Sequence, residues 1–263
     1  MKAVISLFFS VLICYTYGIA QSSSTGFKWP ENYRSAVCLT YDDGLDCHID
    51  VAVPALDSFN LKGTFYCTGF SSSLHSRLDE WRTITLNGHE LGNHTLFHPC
   101  DGERFDWVKP EYDLRTYTLF QIRNELFTAN TLLNAVDGKE ERTFAYTCSD
   151  FEANQVSFVD SLRNMFVAAR SEGPIPESID QVDIHFAPSW GVIEPTGAEL
   201  INYVKEAQEK GTIAIFMFHS VGGGYLNVSS EAHRELLVYL HSNKNEIWTD
   251  TFINIMKFIK ENR

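Results

Sequence analysis

The chain lacks an excess of positive charge, a Cys-x-x-Cys pair, an internal repeat and any apolar run beyond its first residues that could cross a bilayer. Each absence removes a class of function. Lys and Arg number 21 against 34 Asp and Glu, a formal charge of −13. Such a surface repels phosphate backbones and anionic membranes, so neither nucleic acid nor stable membrane insertion is expected. It also gives no help toward a strongly anionic polymer. Of six cysteines, Cys14 lies in an apolar leader; the other five, spaced 9, 20, 33 and 48 residues apart, are odd in number and never form the spacing of a thiolate zinc site. Buried apolar cysteines with one disulfide are the expectation. No low-complexity run or linker divides the chain.

What is present begins with Lys2, an apolar block from Ala3 to Ile13, and small residues Gly18 and Ala20 just before Gln21. This is the layout of a cleavable secretory signal, with an uncleaved anchor as the alternative. Residues 1–20 are therefore read as a signal peptide and 21–35 as a lead-in. Residues 36–263 are read as one domain of a secreted or periplasmic protein. That length suits a single α/β barrel.

Along this domain, apolar strands alternate with helical spacings. Ala36 to Tyr41 reads as a buried strand ending at Asp42-Asp43-Gly44, Ile49 to Phe59 as a helix, and Gly63 to Cys67 as a second strand. Further helices are expected at Asp113 to Val136, Phe151 to Met165, Gly197 to Lys210, Ser229 to Ser242 and Asp250 to Glu261. Strands are expected at Thr143 to Cys148, Phe166 to Ala169 and Thr212 to His219. Repeated β/α alternation in one unit implies parallel crossovers, and hence a barrel or a doubly wound sheet. In either, polar groups at strand ends converge on one face.

Four clusters fall at such ends: Asp42-Asp43, His94 with His98, the neighbourhood of Cys148, and His219. Two adjacent carboxylates at the end of an apolar strand repel each other where water is scarce, a conflict that a bound cation removes. Alternatively they cap the next helix or satisfy the Gly44 turn. His94 and His98, four residues apart, can face one metal. His89-Glu90 does not complete a His-Glu-x-x-His motif and is read as structural. Asn93-His94-Thr95 also matches a glycosylation acceptor, although modification there would block a ligand. His219 is either a satisfied core histidine or, before Gly222-Gly223-Gly224, a strand-end residue exposed to the site. One carboxylate and two imidazoles leave open positions for water and substrate, as catalytic zinc commonly has.

Thr40-Tyr41-Asp42-Asp43-Gly44, then Gly88-His89-Glu90-Leu91-Gly92-Asn93-His94-Thr95 with His98, and later Phe216-Met217-Phe218-His219, resemble in order and spacing the successive motifs of the polysaccharide deacetylases, carbohydrate esterase family 4. The likeness extends from about Ala36 to Trp248. It implies a distorted, incomplete (β/α) barrel of about seven parallel strands. It also implies a metal-dependent hydrolase that removes N- or O-linked acetyl groups from a carbohydrate. By the same resemblance Asp42 is the general base, Asp43, His94 and His98 hold one divalent metal, Thr95 braces their loop, and His219 is the general acid. Zinc suits this donor set best, with cobalt, nickel and iron as alternatives. The roles are chemically coherent: Asp42 takes a proton from activated water as it attacks the acetyl carbonyl, and an imidazole, which changes charge near neutral pH, protonates the leaving atom.

The third motif departs from the family pattern. Where Arg-Pro-Pro-Tyr-Gly is usual, the chain has Ala145-Tyr146-Thr147-Cys148-Ser149. Arg142 lies too early to replace the missing arginine, and Arg170 is the candidate to do so. A backbone N–H at Cys148 and the side chain of Tyr146 are candidates for the oxyanion or substrate. For the fourth motif, Asp183 and Trp190 are candidates, with Trp190 and Phe186 forming a wall beside the acetyl group. Because these departures affect substrate shaping, chitin-like glycans, peptidoglycan, acetylxylan and small amides or imides all stay open. So do two rivals: an amidohydrolase opening a non-sugar C–N bond, and a non-catalytic carbohydrate-binding relative.

Overall fold

The computed structural model describes residues 26–263. The proposed signal and the first part of the lead-in lie outside the described residues. Among those described, no helix is long and apolar enough to cross a membrane.

The first strand, β1 (Ser35–Asp42), is buried throughout. It pairs in parallel with β2 (Thr64–Cys67) on one side and with β9 (Ile213–Phe218) on the other. Between them run β3 (Glu90–Asn93), β4 (Phe144–Ala145), β7 (Ala169–Glu172) and β8 (Ala187–Gly191), each parallel to its neighbours. The β1–β9 pairing closes this series into a seven-stranded barrel. An eighth strand, β10 (Ile247–Thr249), pairs with Ser35–Val37, below the point where β2 meets β1, and stays outside the closed ring. The wall is thinnest at β4, which meets β3 through Asn93 and Phe144. This is the distorted seven-stranded barrel that the resemblance implies.

Alternation along β1 divides the core. Ala36 and Cys38 point into the barrel with Tyr66, Ala145, Ile213 and Ile215, where they meet Phe252 and Met256 of α8 (Phe252–Asn262). Val37, Leu39 and Tyr41 point outward with Phe65. They pack under α1 (Val53–Ser58), α2 (Ser72–Ser76), α3 (Leu78–Leu86), α6 (Gly197–Lys210) and α7 (Ser230–Ser242). The start of α8 closes one end of the barrel: the Phe252 N–H donates to Thr64 Oγ1 and the Ile253 N–H to Glu90 Oε2. Burial pushes the Glu90 carboxyl up, against hydrogen bonds from Thr143, Ile253 and Thr64. The opposite end, where the parallel strands finish, is left for chemistry.

Several expected elements have different bounds, for local reasons. The long helix α4 (Leu119–Asp137) starts six residues later than its apolar spacing suggests, because Thr118 and Gln121 form a reciprocal capping box. Residues 151–165 are not one helix. They form a hairpin, β5 (Glu152–Ala153) with β6 (Val156–Ser157), and a single turn, α5 (Val159–Leu162). Asn154 and Gln155 take positive φ (48° and 62°), the geometry of a tight hairpin turn rather than a helix. The fourth strand stops at Ala145, and a tight turn follows at Thr147–Ser149 in which Cys148 and Ser149 also take positive φ. The expected strand at Phe166–Ala169 is realised three residues later as β7, which places Arg170 inside the sheet, paired with Ala145 and Ala187.

Candidate metal centre and active site

Asp42 ends β1, and its side chain is on the inward row at the open end of the barrel. Asp43 begins the turn with φ 76°. The strand β3 ends at Asn93, whose Oδ1 accepts the Thr95 N–H at 2.8 Å; Thr95 Oγ1 in turn accepts the His98 N–H at 2.9 Å. Asn93 is itself held by its amide group, which donates to the Leu126 carbonyl and Asn130 Oδ1 of α4. Thr95 (φ 63°) and His98 (φ 56°) sit in the left-handed region, so this loop is strained as well as tied. Thr95 thus ties Asn93 to His98, by its N–H on one side and its hydroxyl on the other.

The result is that Asp43 Oδ1 lies 3.6 Å from His94 Nε2 and 3.3 Å from His98 Nε2. Among the described residues, Asp43, His94 and His98 form a group able to hold a metal ion. Ligands about 2.0–2.1 Å from a tetrahedral ion stand roughly 3.3–3.4 Å from one another, so the spacing fits a first-row divalent ion. His94 Nδ1 lies 2.8 Å from the Ala145 carbonyl, to which it can only donate, and Nε2 is left as an acceptor aimed at the carboxylate. Burial lowers the His94 imidazole to about 4, so it is neutral near pH 7, the form that binds a metal. Burial alone would raise the Asp43 carboxyl. The imidazoles of His98, His94 and His219 and a hydrogen bond from Tyr225 outweigh it and hold Asp43 at about 2. A second group of donors, His98 with Cys100 and Cys148, is not a thiolate site, since Cys100 and Cys148 form a disulfide.

Arg170 lies on the inward side of β7 and donates to Asp42 Oδ2. Both partners are almost fully buried, at 1 % and 2 % exposed. Arg170 also donates to Ser189 Oγ at 3.0 Å and lies 5.2 Å from the centre of the Tyr66 ring. An arginine from β7 thus stands where the third motif lacks one. Arg142, by contrast, pairs with Asp137 and the Leu91 carbonyl, away from the aspartates. Asp42 Oδ1 is buried and has no hydrogen-bond partner among the described residues, so it is the carboxylate oxygen that the protein does not engage.

His219 follows β9, with Nε2 3.9 Å from Asp43 Oδ2. His48 Nδ1 accepts the Leu45 N–H, so its Nε2 carries the proton and donates to the His219 carbonyl at 2.8 Å. Burial lowers His48 to about 4, which keeps it neutral in this bracing role.

Other candidates lie elsewhere. The Tyr146 hydroxyl donates to the His185 carbonyl, and its ring packs among Phe144, Phe158 and Phe186. The side chain is therefore committed to the core, not to substrate. Trp190 packs against Tyr203 of α6 and Phe216, on the outer face of β8, because inward and outward residues alternate and Ser189 takes the inward place beside Arg170. Asp183 accepts the His185 N–H and faces Arg163, while His219 Nδ1 is buried without a partner among the described residues. Cys148, φ 53°, is joined to Cys100, whose Sγ is 3.5 Å from His98 Nδ1. Sequence reasoning missed Cys100, Ser189, His48 and Tyr225. Only Tyr225 left a signal: three successive glycines after a strand-end histidine announce a loop that folds back.

The profile of the polysaccharide deacetylase family matches residues 31–165, just over half of the chain. The chain belongs to that family. It is 25% identical over 231 residues to a peptidoglycan-N-acetylglucosamine deacetylase of Bacillus cereus, covering 84% of this chain and 72% of that protein. It is 22% identical over 260 residues to a gellan lyase of a Bacillus species, covering 89% of this chain but spanning 10% of the lyase. In fold it superposes on a Mycobacterium smegmatis protein described as a polysaccharide deacetylase, with a TM-score of 0.64, 14% identity and coverage of 90% and 94% of the two chains.

Proposed function

We propose that the chain is a metal-dependent deacetylase of carbohydrates, secreted or periplasmic. The observation that carries this reading is the meeting of Asp43, His94 and His98 beside the Asp42–Arg170 pair at the open end of the barrel. Asp43, His94 and His98 would hold the divalent ion, zinc by donor type, and the ion when bound supplies Lewis acidity and activates water. Every other function falls to the chain. Arg170 fixes the Asp42 carboxylate through Oδ2, and Oδ1, which has no partner among the described residues, is the oxygen that accepts a proton from the attacking water. His219 stands on the far side of Asp43 and donates a proton to the leaving nitrogen or oxygen. His94 is locked through Nδ1, so its ring cannot turn away.

A sugar substrate is supported by ring faces beside the ligand loop. Trp107 lies 5.9 Å from His98 and is exposed, and the stacked pair Phe97 and Tyr112 continues the rim. Such rings offer flat apolar area to a glycan. Export is supported by the disulfide, which forms and persists in oxidising compartments.

The test is acetate release by zinc-loaded protein from chitooligosaccharide, peptidoglycan and acetylxylan, with cyclic imides in parallel. Release from a glycan that is lost in Asp42→Ala is the expected result. Imide hydrolysis without acetate release would replace this reading by an amidohydrolase of non-sugar C–N bonds. Glycan binding without any release would replace it by a non-catalytic carbohydrate-binding relative.

A further inference from the structure

We propose that Tyr225 is a positioning residue for the metal centre: its hydroxyl holds one oxygen of Asp43 so that the other faces His94 and His98. This rests on reading Asp43, His94 and His98 as the metal ligands. Tyr225 Oη donates to Asp43 Oδ2. The other oxygen, Oδ1, is the one 3.6 Å from His94 Nε2 and 3.3 Å from His98 Nε2. The last torsion of an aspartate is broad and nearly two-fold, so a carboxylate without a partner exchanges its oxygens freely. A donor on Oδ2 ends that freedom. His219 cannot replace it, because 3.9 Å is beyond hydrogen-bond reach.

The loop is built to deliver this hydroxyl. Gly222, Gly223 and Gly224 have φ of 84°, 139° and 120°. These torsions disfavour side chains at all three positions, and at Gly224 space adds to torsion, since a Cβ there would come within 2.4 Å of Ser220 Oγ and 2.9 Å of its Cβ. Val221 and Val228 bridge the base of the loop. The Gly222 N–H donates to the Val228 carbonyl at 2.9 Å, and the Gly223 N–H to Asn227 Oδ1 at 2.7 Å. The chain therefore doubles back and lays the Tyr225 ring 5.8 Å from the His219 ring. The tyrosine is 51% exposed, so core packing does not set its position. Its polar contact with Asp43 does.

The test measures zinc affinity of the full chain, stripped of metal, by competition with a chromogenic chelator, together with the zinc-induced rise in Tm. Tyr225→Phe removes one oxygen and keeps the ring. It is expected to weaken zinc binding by about 10- to 100-fold, the usual effect of losing a partner of a metal ligand, with the metal-free Tm nearly unchanged. Gly224→Ala keeps the phenol but drives the loop off Ser220, and is expected to weaken zinc as well. Equal zinc affinity in wild type and Tyr225→Phe overturns the inference alone, whatever happens to the metal-free Tm. A wild type that binds no zinc overturns the metal reading and the inference with it.

Discussion

Replacing Arg170 by Met probes the pair on which the base depends. Arg170 and Asp42 are 1 % and 2 % exposed, and Asp42 Oδ1 already lacks a partner. The variant leaves the Asp42 carboxyl group buried without its guanidinium partner and with no other hydrogen bond from the described residues, and it also strands Ser189 Oγ from its guanidinium donor. Breaking a buried pair from one side costs about 3–5 kcal/mol. In a domain of this size each kcal/mol shifts Tm by about 2–4 °C, so a fall of roughly 6–20 °C is expected in a thermal scan. Turnover should fall by at least about 10²-fold, because a misplaced base forfeits most of what a general base contributes. Asp42→Asn combined with Arg170→Met removes both charges and should recover much of the stability with none of the activity. The reasoning is refuted if an Arg170 variant keeps wild-type turnover while Asp42→Ala abolishes it. It is equally refuted if Arg170→Met melts with the wild type.

Other expectations follow from the same contacts. Asp43→Asn and His98→Ala should each abolish tight zinc binding in the chelator assay while leaving the barrel's circular dichroism intact; retained affinity would place the metal elsewhere. The Cys100–Cys148 bridge spans 48 residues, and closing a loop of that length stabilises by about 4 kcal/mol in the chain-entropy account. Cys148→Ser should therefore lower the urea midpoint, and reductant should destabilise the wild type but not the variant. His48 and His233 are pushed by burial to about 4, so each is neutral in the folded state over a range where an unfolded imidazole takes a proton. Their contribution is complete above the unfolded value near 6.5 and is lost as pH falls toward 4, on the order of 3 kcal/mol each. Urea titrations across that interval should show falling stability on acidification, and a rise would contradict the assignment.

The sequence by itself determined the chemistry that lies within single short segments. Asp42-Asp43 ends an apolar strand, His94 and His98 share one loop, and His219 ends another apolar strand. In parallel β/α folds strand ends gather on one face, so residue type and strand position together were enough to bring these five residues forward as candidates, and the family resemblance implied which of them hold metal and which move protons. Alternation of strands and helices likewise narrowed the fold to a barrel or a doubly wound sheet, and the family resemblance implied the barrel. Tertiary structure alone decided every feature that depends on register around the closed sheet. Arg170 reaches Asp42 across 128 residues because the register of β7 sets it beside Ala145 and Ala187, two residues of the inward row. The same inward–outward alternation sends Trp190 to the helix layer and leaves Ser189 at the site. Cys100 and Cys148 meet only because the loops after β3 and β4 leave adjacent strands. Tyr225 reaches Asp43 only because β9 lies beside β1, so the glycine loop that follows it can fold over the end of the neighbouring strand. Local pattern carries residue identity and strand position; partners across a sheet are set by register, which no single segment contains.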